Sequence, residues 1–163
     1  MANVVALSAL SGELSEGQRL LGLDVGSKTV GLAISDRMLS VASPVETLRR
    51  GKLAQDVAAL AALCRDRKVG GLVVGLPVNM DGSEGPRCQS VRQFVKNLAA
   101  GGLDLPAAFW DERLSTAAVN RLLIQEADMS RKRRAAVVDK MAAAYILQGA
   151  LDALAAQSPG RDA

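Results

Sequence analysis

The chain has 163 residues, of which 49% are hydrophobic and 23% charged, an ordinary composition for a single globular domain. Its formal net charge is +3, and aromatic residues make up only 2%, which argues against a surface that stacks many nucleic-acid bases on aromatic rings. The sequence contains no histidine, which excludes Ser-His-Asp and Cys-His catalysis and HExxH zinc sites. An enzyme of this composition must use carboxylates, Lys, Tyr or Cys.

The first predicted elements are three strands. Alternating apolar residues predict strands over Leu20 to Gly26, Thr29 to Asp36 and about Leu39 to Thr47. Their short connections favour an antiparallel meander. The segment before them, residues 1–18, is expected to be a disordered leader.

The apolar spacing then alternates between helical periods and short buried runs. It predicts, in order, a helix from about Gly51 to Lys68, a strand over Gly71 to Leu76, a helix starting near Pro86, a strand over Leu105 to Trp110, a helix capped by Ser115 or Thr116, and a helix from about Lys132 to Ala156. The order β-β-β-α-β-α-β-α-α indicates an α/β fold, a five-stranded mixed sheet with helices on both faces. Residues 19–156 are expected to form one domain, and residues 157–163 a loose tail.

Asp24 is the first candidate site residue, because it interrupts an apolar strand. Gly22 and Gly26 share its face and leave room above it for a metal ion or a phosphate. A buried carboxylate without partners is costly, so a function is one explanation for it. A hydrogen bond from Asp24 to the following turn is the other.

Asp139 is the second candidate, because it lies on a stripe of small and apolar residues that should face the sheet. An acid at the edge of that stripe, paired with Arg or Lys in solvent, is the alternative. Asp111 and Glu112 end the last predicted strand. Since adjacent strand residues point to opposite faces, only one of these two should join Asp24.

Several polar segments could hold a polyanion near these acids. The loop from Gly75 to Ser83, with Asn79 and Asp81, leads from a strand into a helix whose N-terminus is a natural phosphate site. Lys28 lies in the turn after Asp24. A basic run immediately precedes the Asp139 helix, and it comprises Arg131, Lys132, Arg133 and Arg134.

Taken together, these segments resemble the YqgF family, also called RuvX, relatives of the RuvC Holliday-junction resolvases. The matching segments are Leu21 to Ala33, the Gly75 to Gly82 loop, Asp111 to Thr116, and Val138 to Ala143. Each segment alone is weak, but four in the right order and spacing are specific. The likeness extends over nearly everything from Leu20 to Leu151.

The resemblance implies a ribonuclease H-like fold and a nuclease that processes the precursor of 16S ribosomal RNA during ribosome biogenesis. It also implies a carboxylate triad of Asp24, a fourth-strand acid and Asp139. RuvC-like enzymes carry Glu on the fourth strand, which favours Glu112, with Asp111 as the alternative. Arg113, Ser115 and Thr116 are expected to contact the substrate. Because carboxylates prefer hard cations, Mg²⁺ or Mn²⁺ is the expected cofactor, in a two-metal mechanism.

The expected partners are precursor ribosomal RNA or branched DNA, together with ribosomal assembly intermediates, in the cytoplasm and without a membrane. The protein is expected to be a monomer or a weak homodimer. A DNA junction resolvase is the closest alternative. A ribosome-assembly factor that binds RNA without cutting it is another. An actin-like ATPase would need a second domain to enclose its nucleotide, and this chain has room for one.

Overall fold

A single five-stranded mixed sheet forms the centre of the computed structural model, which describes residues 3–114 and 131–157, without the side chains of residues 131–139. The strands are β1 (Arg19–Val25), β2 (Thr29–Ser35), β3 (Ala42–Arg49), β4 (Val69–Leu76) and β5 (Ala107–Asp111). Their order is β3-β2-β1-β4-β5, with β1 antiparallel to β2 and parallel to β4. The predicted meander and mixed sheet are thereby confirmed.

Helices cover both faces of the sheet, as predicted. The described helices are α1 (Leu7–Leu10), α2 (Leu53–Asp66), α3 (Pro86–Ala100) and α4 (Arg131–Ala156). Helices α2 and α3 share a hydrophobic core with one face of β1, through residues such as Leu60, Phe94 and Leu23. Helix α4 packs on the other face, where Ile146 and Leu147 join Leu20. The helix predicted to start at Ser115 or Thr116 lies outside the described residues, as does the tail beyond Gln157.

None of the helices in the described ranges is both long enough and apolar enough to cross a membrane.

The contact between α4 and β1 is unusually close. A Cβ atom added to Gly22 would lie 2.8 Å from Cβ of Leu147 and 3.0 Å from the carbonyl oxygen of Ala143. Only glycine fits between strand and helix at this point, because real Cβ atoms do not approach other atoms so closely. The absence of a side chain at Gly22 therefore sets how closely α4 approaches β1.

The N-terminal segment differs from the expected disordered leader. The backbone N–H of Val5 donates to the carbonyl oxygen of Ala107 at 2.9 Å, and the N–H of Ala107 donates to Asn3, so the segment adds to the sheet beside β5. Leu10 is fully buried, with Cδ1 beside Gly71 of β4. The segment orders because the open edge of β5 offers it backbone partners and the sheet offers Leu10 an apolar pocket.

The third strand begins later than predicted, at Ala42 instead of Leu39. The carboxylate of Asp36 accepts hydrogen bonds from the backbone N–H groups of Ser40 and Val41, at 2.7 and 3.1 Å. Leu39 takes a φ of 56° inside this turn, which no strand residue adopts. An Asp that binds its own downstream backbone thus delays the strand by three residues.

Replacing Leu10 with Ala tests the packing of the N-terminal segment. We expect the free energy of unfolding to fall by about 2–5 kcal/mol, as for other fully buried leucines, measured by urea denaturation. Val4→Ala is the matched control, because Val4 is about half exposed and its truncation should change stability little. Equal stability of Leu10→Ala and the parent protein would contradict the packed arrangement.

Candidate active site at the carboxyl end of the first strand

Asp24 lies buried on the α4 face of the sheet, with 8% of its surface exposed. Across the sheet it pairs with Gly31 of β2. On its other side, one step beyond the pair Leu23 and Val74, stands Gly75 of β4. Since both cross-strand neighbours lack side chains, the sheet leaves space around the carboxylate on either side. The sequence alone indicated only Gly22 and Gly26, because cross-strand neighbours depend on strand register.

The Glu112 side chain occupies the space that Gly75 leaves. Its Oε1 atom lies 2.9 Å from where a Cβ of Gly75 would stand, and its Cγ atom lies 3.3 Å from that point. Glu112 follows β5, whose residue Trp110 is in register with Gly75. The carboxylate of Glu112 thus reaches over the strand that borders Asp24, on the same face of the sheet.

Asp111 is engaged in a different interaction. Its Oδ2 atom accepts a hydrogen bond from Nη2 of Arg113 at 2.7 Å, and its Oδ1 atom accepts one from the Arg113 backbone at 2.9 Å. The side-chain hydrogen bond from Arg113 is the main reason why the pKa of Asp111 lies below its usual value. Both acids lie at the end of β5, the fifth strand along the chain, and not on the fourth strand that the resemblance implied. This geometry favours Glu112 over Asp111 as the acid beside Asp24.

The direction of α4 can be read from its contacts. Gln148 accepts a hydrogen bond from the backbone N–H of Ala42 at 2.8 Å and donates to the carbonyl oxygen of Ser40 at 3.0 Å. Both partners lie at the end of the sheet where β1 begins, since Ala42 pairs with the last residue of β2. Ala143 stands farther along, above Gly22. Helix α4 therefore runs antiparallel to β1.

This direction bears on Asp139, whose backbone is helical and whose side chain lies outside the description. Four helical residues span about 6 Å along the axis, which is close to the roughly 6.6 Å spanned by two strand residues. Going back one turn from Ala143, which covers Gly22, therefore reaches the level of Asp24. The backbone geometry is compatible with an acid of α4 above the first strand.

The donor atoms around Asp24 suit hard divalent cations. Asp24 and Glu112 offer carboxylate oxygens, and the glycine at position 75 keeps the space over β4 open for the Glu112 carboxylate. Within the described part of the chain, no three acidic or thiol side chains form a group that could hold a metal ion. Asp139, the third ligand expected from the sequence, is not among those side chains. The two described acids, Asp24 and Glu112, fit two of the three protein ligands expected for Mg²⁺ or Mn²⁺.

The loop after β4 uses most of its polar side chains to hold its own shape. Asp81 accepts hydrogen bonds from the backbone N–H and the hydroxyl of Ser83, at 3.0 and 2.6 Å, and the latter is the main reason for its lowered pKa. Asn79 donates from its side chain to the same hydroxyl at 3.0 Å. Arg113 donates to the carbonyl oxygen of Met80 at 3.2 Å, which ties the loop to the end of β5. These polar side chains are therefore engaged in holding the conformation of the loop.

The structure describes only some of the other residues that were predicted to contact the substrate. Lys28 is exposed in the turn that joins β1 to β2, immediately beyond Asp24. Ser115 and Thr116 lie outside the described residues. The basic run Arg131, Lys132, Arg133 and Arg134 begins α4, and its side chains are likewise not described.

The family model of RuvX, described as a Holliday junction resolvase, matches residues 18–153. The chain belongs to the RuvX family. It is 62% identical to a protein of Paramagnetospirillum magneticum over 91% of this chain and 95% of that one, and 57% identical to a protein of Rhodospirillum rubrum over 96% of both. Both relatives carry the name "Putative pre-16S rRNA nuclease".

The fold is shared beyond the RuvX family. RuvC of T. thermophilus, solved in complex with a Holliday junction substrate, superposes with a TM-score of 0.51 at 11% identity, over 86% of this chain and 95% of that one. At this identity the likeness concerns the fold alone. It confirms the ribonuclease H-like architecture expected from the sequence.

The substitution Gly75→Ala should lower activity much more than it lowers stability. The new methyl group would collide with the end of the Ile146 side chain and with the Glu112 carboxylate. Displacing the Glu112 carboxylate by about 1 Å should lower nuclease activity by roughly a hundredfold, whereas the free energy of unfolding should fall by about 1–3 kcal/mol. Cleavage rates and denaturation curves measure the two effects.

Gly71→Ala is the matched control for that substitution. Gly71 lies on the same strand, and its added Cβ would meet the side chains of Leu20 and Leu10 and no carboxylate. We expect a similar loss of stability with cleavage retained. Equal loss of cleavage in both variants would mean that Gly75 acts through stability alone.

Glu112→Gln and Asp111→Asn should differ sharply in activity. Loss of the acid that lies over Gly75 should lower cleavage by more than about a hundredfold if Glu112 holds the expected cation, whereas Asp111→Asn, which removes only a partner of Arg113, should cost less than about tenfold. Cleavage at saturating Mg²⁺ and the apparent affinity for Mn²⁺ check this. The reverse order of effects would assign the role of Glu112 to Asp111.

Proposed function

We propose that this chain is a metal-dependent endonuclease that hydrolyses phosphodiester bonds in the precursor of 16S ribosomal RNA. The observation that carries the proposal is the carboxylate of Glu112, held over Gly75 on the same face as the buried Asp24. Two acids held over neighbouring strands on one face of the sheet are expected of a site that binds cations. The names of its RuvX-family relatives supply the substrate.

In the proposed mechanism, Asp24, Glu112 and Asp139 would hold two Mg²⁺ or Mn²⁺ ions. Such ions would supply an activated water and stabilise the leaving oxygen of an in-line displacement. The chain itself keeps the carboxylates at fixed positions, because Asp24 lies within β1 and Glu112 follows β5 directly. A rigid strand holds a ligand more accurately than a loop does.

The substrate backbone would be held on both sides of the carboxylates. Lys28 stands beyond Asp24 in the β1–β2 turn, and the basic run from Arg131 to Arg134 opens α4. Arg113 joins them at the end of β5, where its pairing with Asp111 sets the direction of its guanidinium group. Cations at these places would neutralise phosphates of a polyanion that crosses the site. Ribosomal assembly intermediates in the cytoplasm would be the setting.

A DNA junction resolvase is the second candidate function, because the matching family model carries that description. Both functions use the same carboxylates and differ in the nucleic acid they receive. A four-way junction has two-fold symmetry, so its resolution favours a homodimer that presents two sites. Ribosomal RNA processing makes no such demand, and a monomer suffices for it.

Purified protein should be incubated with Mg²⁺ or Mn²⁺ and two substrates: a 16S precursor RNA that includes the flanks of the mature sequence, and a four-way DNA junction. We expect the RNA to be cut in its flanks, leaving 5′-phosphates, and a chelator to stop the reaction. Asp24→Asn should abolish cleavage while the apo protein stays folded and at least as stable, because the amide keeps the size of the side chain and removes one of the charges that repel each other within the proposed carboxylate cluster.

The outcomes separate the candidates. Preferred cleavage of the junction by a dimeric protein would replace the ribosomal function with resolution. RNA binding that survives in both the parent and Asp24→Asn, with cleavage in neither, would leave an assembly factor that does not cut. Full activity of Asp24→Asn would overturn the carboxylate site itself.

A further inference from the structure

A second site lies on the opposite face of the sheet from the carboxylates. A cavity of about 500 Å³ opens between the β1–β2 turn and α3, lined by Gly26, Ser27, Arg50, Arg87, Ser90 and Asn97 among others. Its volume falls within the range of ligand sites in proteins. Neither Asp24 nor Glu112 lines it, and nothing in the proposed catalytic machinery uses its residues.

The charge of the cavity points to an anion. It contains two arginines, and none of the described residues that line it is acidic. Glu84, which precedes α3, is held in an ion pair with Arg92 at 2.8 Å. No described carboxylate forms an ion pair with Arg87, which is exposed at the start of α3. The positive end of the α3 helix dipole adds to the same field.

Arg50 is fixed in place before any ligand arrives. Its guanidinium carbon stands 4.9 Å from the centre of the Phe94 ring, and its Nη1 atom donates to the carbonyl oxygen of Gly26 at 2.7 Å. A stacked guanidinium that is hydrogen-bonded on one side loses little entropy when it binds a phosphate on another. Hydroxyls of Ser27 and Ser90 and the amide of Asn97 offer further polar contacts.

The cavity begins close to Asp24 along the chain. Val25 and Gly26, which line it, follow Asp24 directly, and a strand advances roughly 3.3 Å per residue. The cavity thus begins within about two residues of the buried acid, around the end of β1. The exposed Lys28 lies in the same turn, directly after Ser27.

We propose that this cavity binds a nucleotide of the substrate strand adjacent to the scissile phosphate, with Arg50 and Arg87 on its phosphate group. The single-stranded RNA would cross the carboxylates, pass the β1–β2 turn at Lys28 and enter the cavity beside α3. This inference rests on the proposed function only in taking a nucleic acid as substrate. Because binding is measured without metal and without cleavage, its failure is distinguishable from failure of the nuclease proposal.

The first experiment measures affinity of the full chain for a short single-stranded RNA over a range of salt concentrations, in the presence of a chelator. Arg87→Ala should weaken binding several-fold and reduce the log-log salt slope by about 0.7, the value of one phosphate contact on a single strand. Arg37→Ala is the matched control, because Arg37 is exposed at the opposite end of the strands. An unchanged slope for Arg87→Ala, or an equal effect of Arg37→Ala, overturns the proposal.

The second experiment locates the RNA through a new thiol. Both native cysteines are buried, and burial raises the pKa of Cys64 to about 11 and that of Cys88 above its usual value. In Ser90→Cys, the introduced thiol should therefore react first with an alkylating reagent. Saturating RNA should slow its alkylation, whereas Met38→Cys, at the opposite end of the sheet, should stay unprotected.

Small anions test whether the cavity binds an RNA strand or a free phosphate ligand. Inorganic phosphate and adenosine monophosphate, each at the RNA's nucleotide concentration, should protect the Ser90→Cys thiol less than RNA does. Equal protection by either would make the cavity a site for a free phosphate ligand and overturn the assignment to the strand. Failure of RNA to protect the thiol, with normal melting of the variant, would overturn it as well.

Discussion

The close packing of α4 on β1 is the constraint on which the rest of the molecule depends. A glycine at position 22 lets the helix approach until the carbonyl oxygen of Ala143 nearly touches the strand. At that distance the helix cannot rotate or slide without collisions, because the interior is close-packed. One turn farther along, the same geometry brings the backbone of Asp139 to about the level of Asp24. The close packing of α4 on the middle of β1 thus determines how accurately the helix can hold an acid near the carboxyl end of that strand.

The glycines around Asp24 leave space for carboxylate side chains above the sheet. Gly31 and Gly75 flank the acid across the strands, and the carboxylate of Glu112 lies over Gly75. Glycine in a strand weakens it, since it provides no side chain to pack. The weakness is offset by the tight contacts of β1 with β2 and β4, whose large apolar residues face α2 and α3. The face that packs on α2 and α3 carries the large side chains of the strands, while glycines on the α4 face make room for the carboxylates near the end of β1.

The described arginines near the two sites differ in whether the protein fixes their side chains. Arg113 is paired with Asp111, and Arg92 with Glu84. Arg50 stacks on Phe94 and binds the turn after β1. Arg87 pairs with no described carboxylate, which leaves it available to an incoming anion. A positive rim around a carboxylate centre suits a polyanion, because the acids alone would repel its phosphates.

The sequence by itself determined the order of elements, the mixed sheet and the conspicuous acids, since apolar periodicity and an acid within an apolar strand are local signals. It also carried the resemblance that indicated the RuvX family. Only the tertiary structure decided which residues surround Asp24: Gly31 and Gly75 border it, and Glu112 lies over Gly75 while Asp111 turns to Arg113. It also decided that the N-terminal segment packs on β5. Finally, it brought Arg50 and Arg87 to the same cavity. The reason is physical: strand register and the distance between packed layers bring together residues far apart in the chain, and neither is encoded in local spacing.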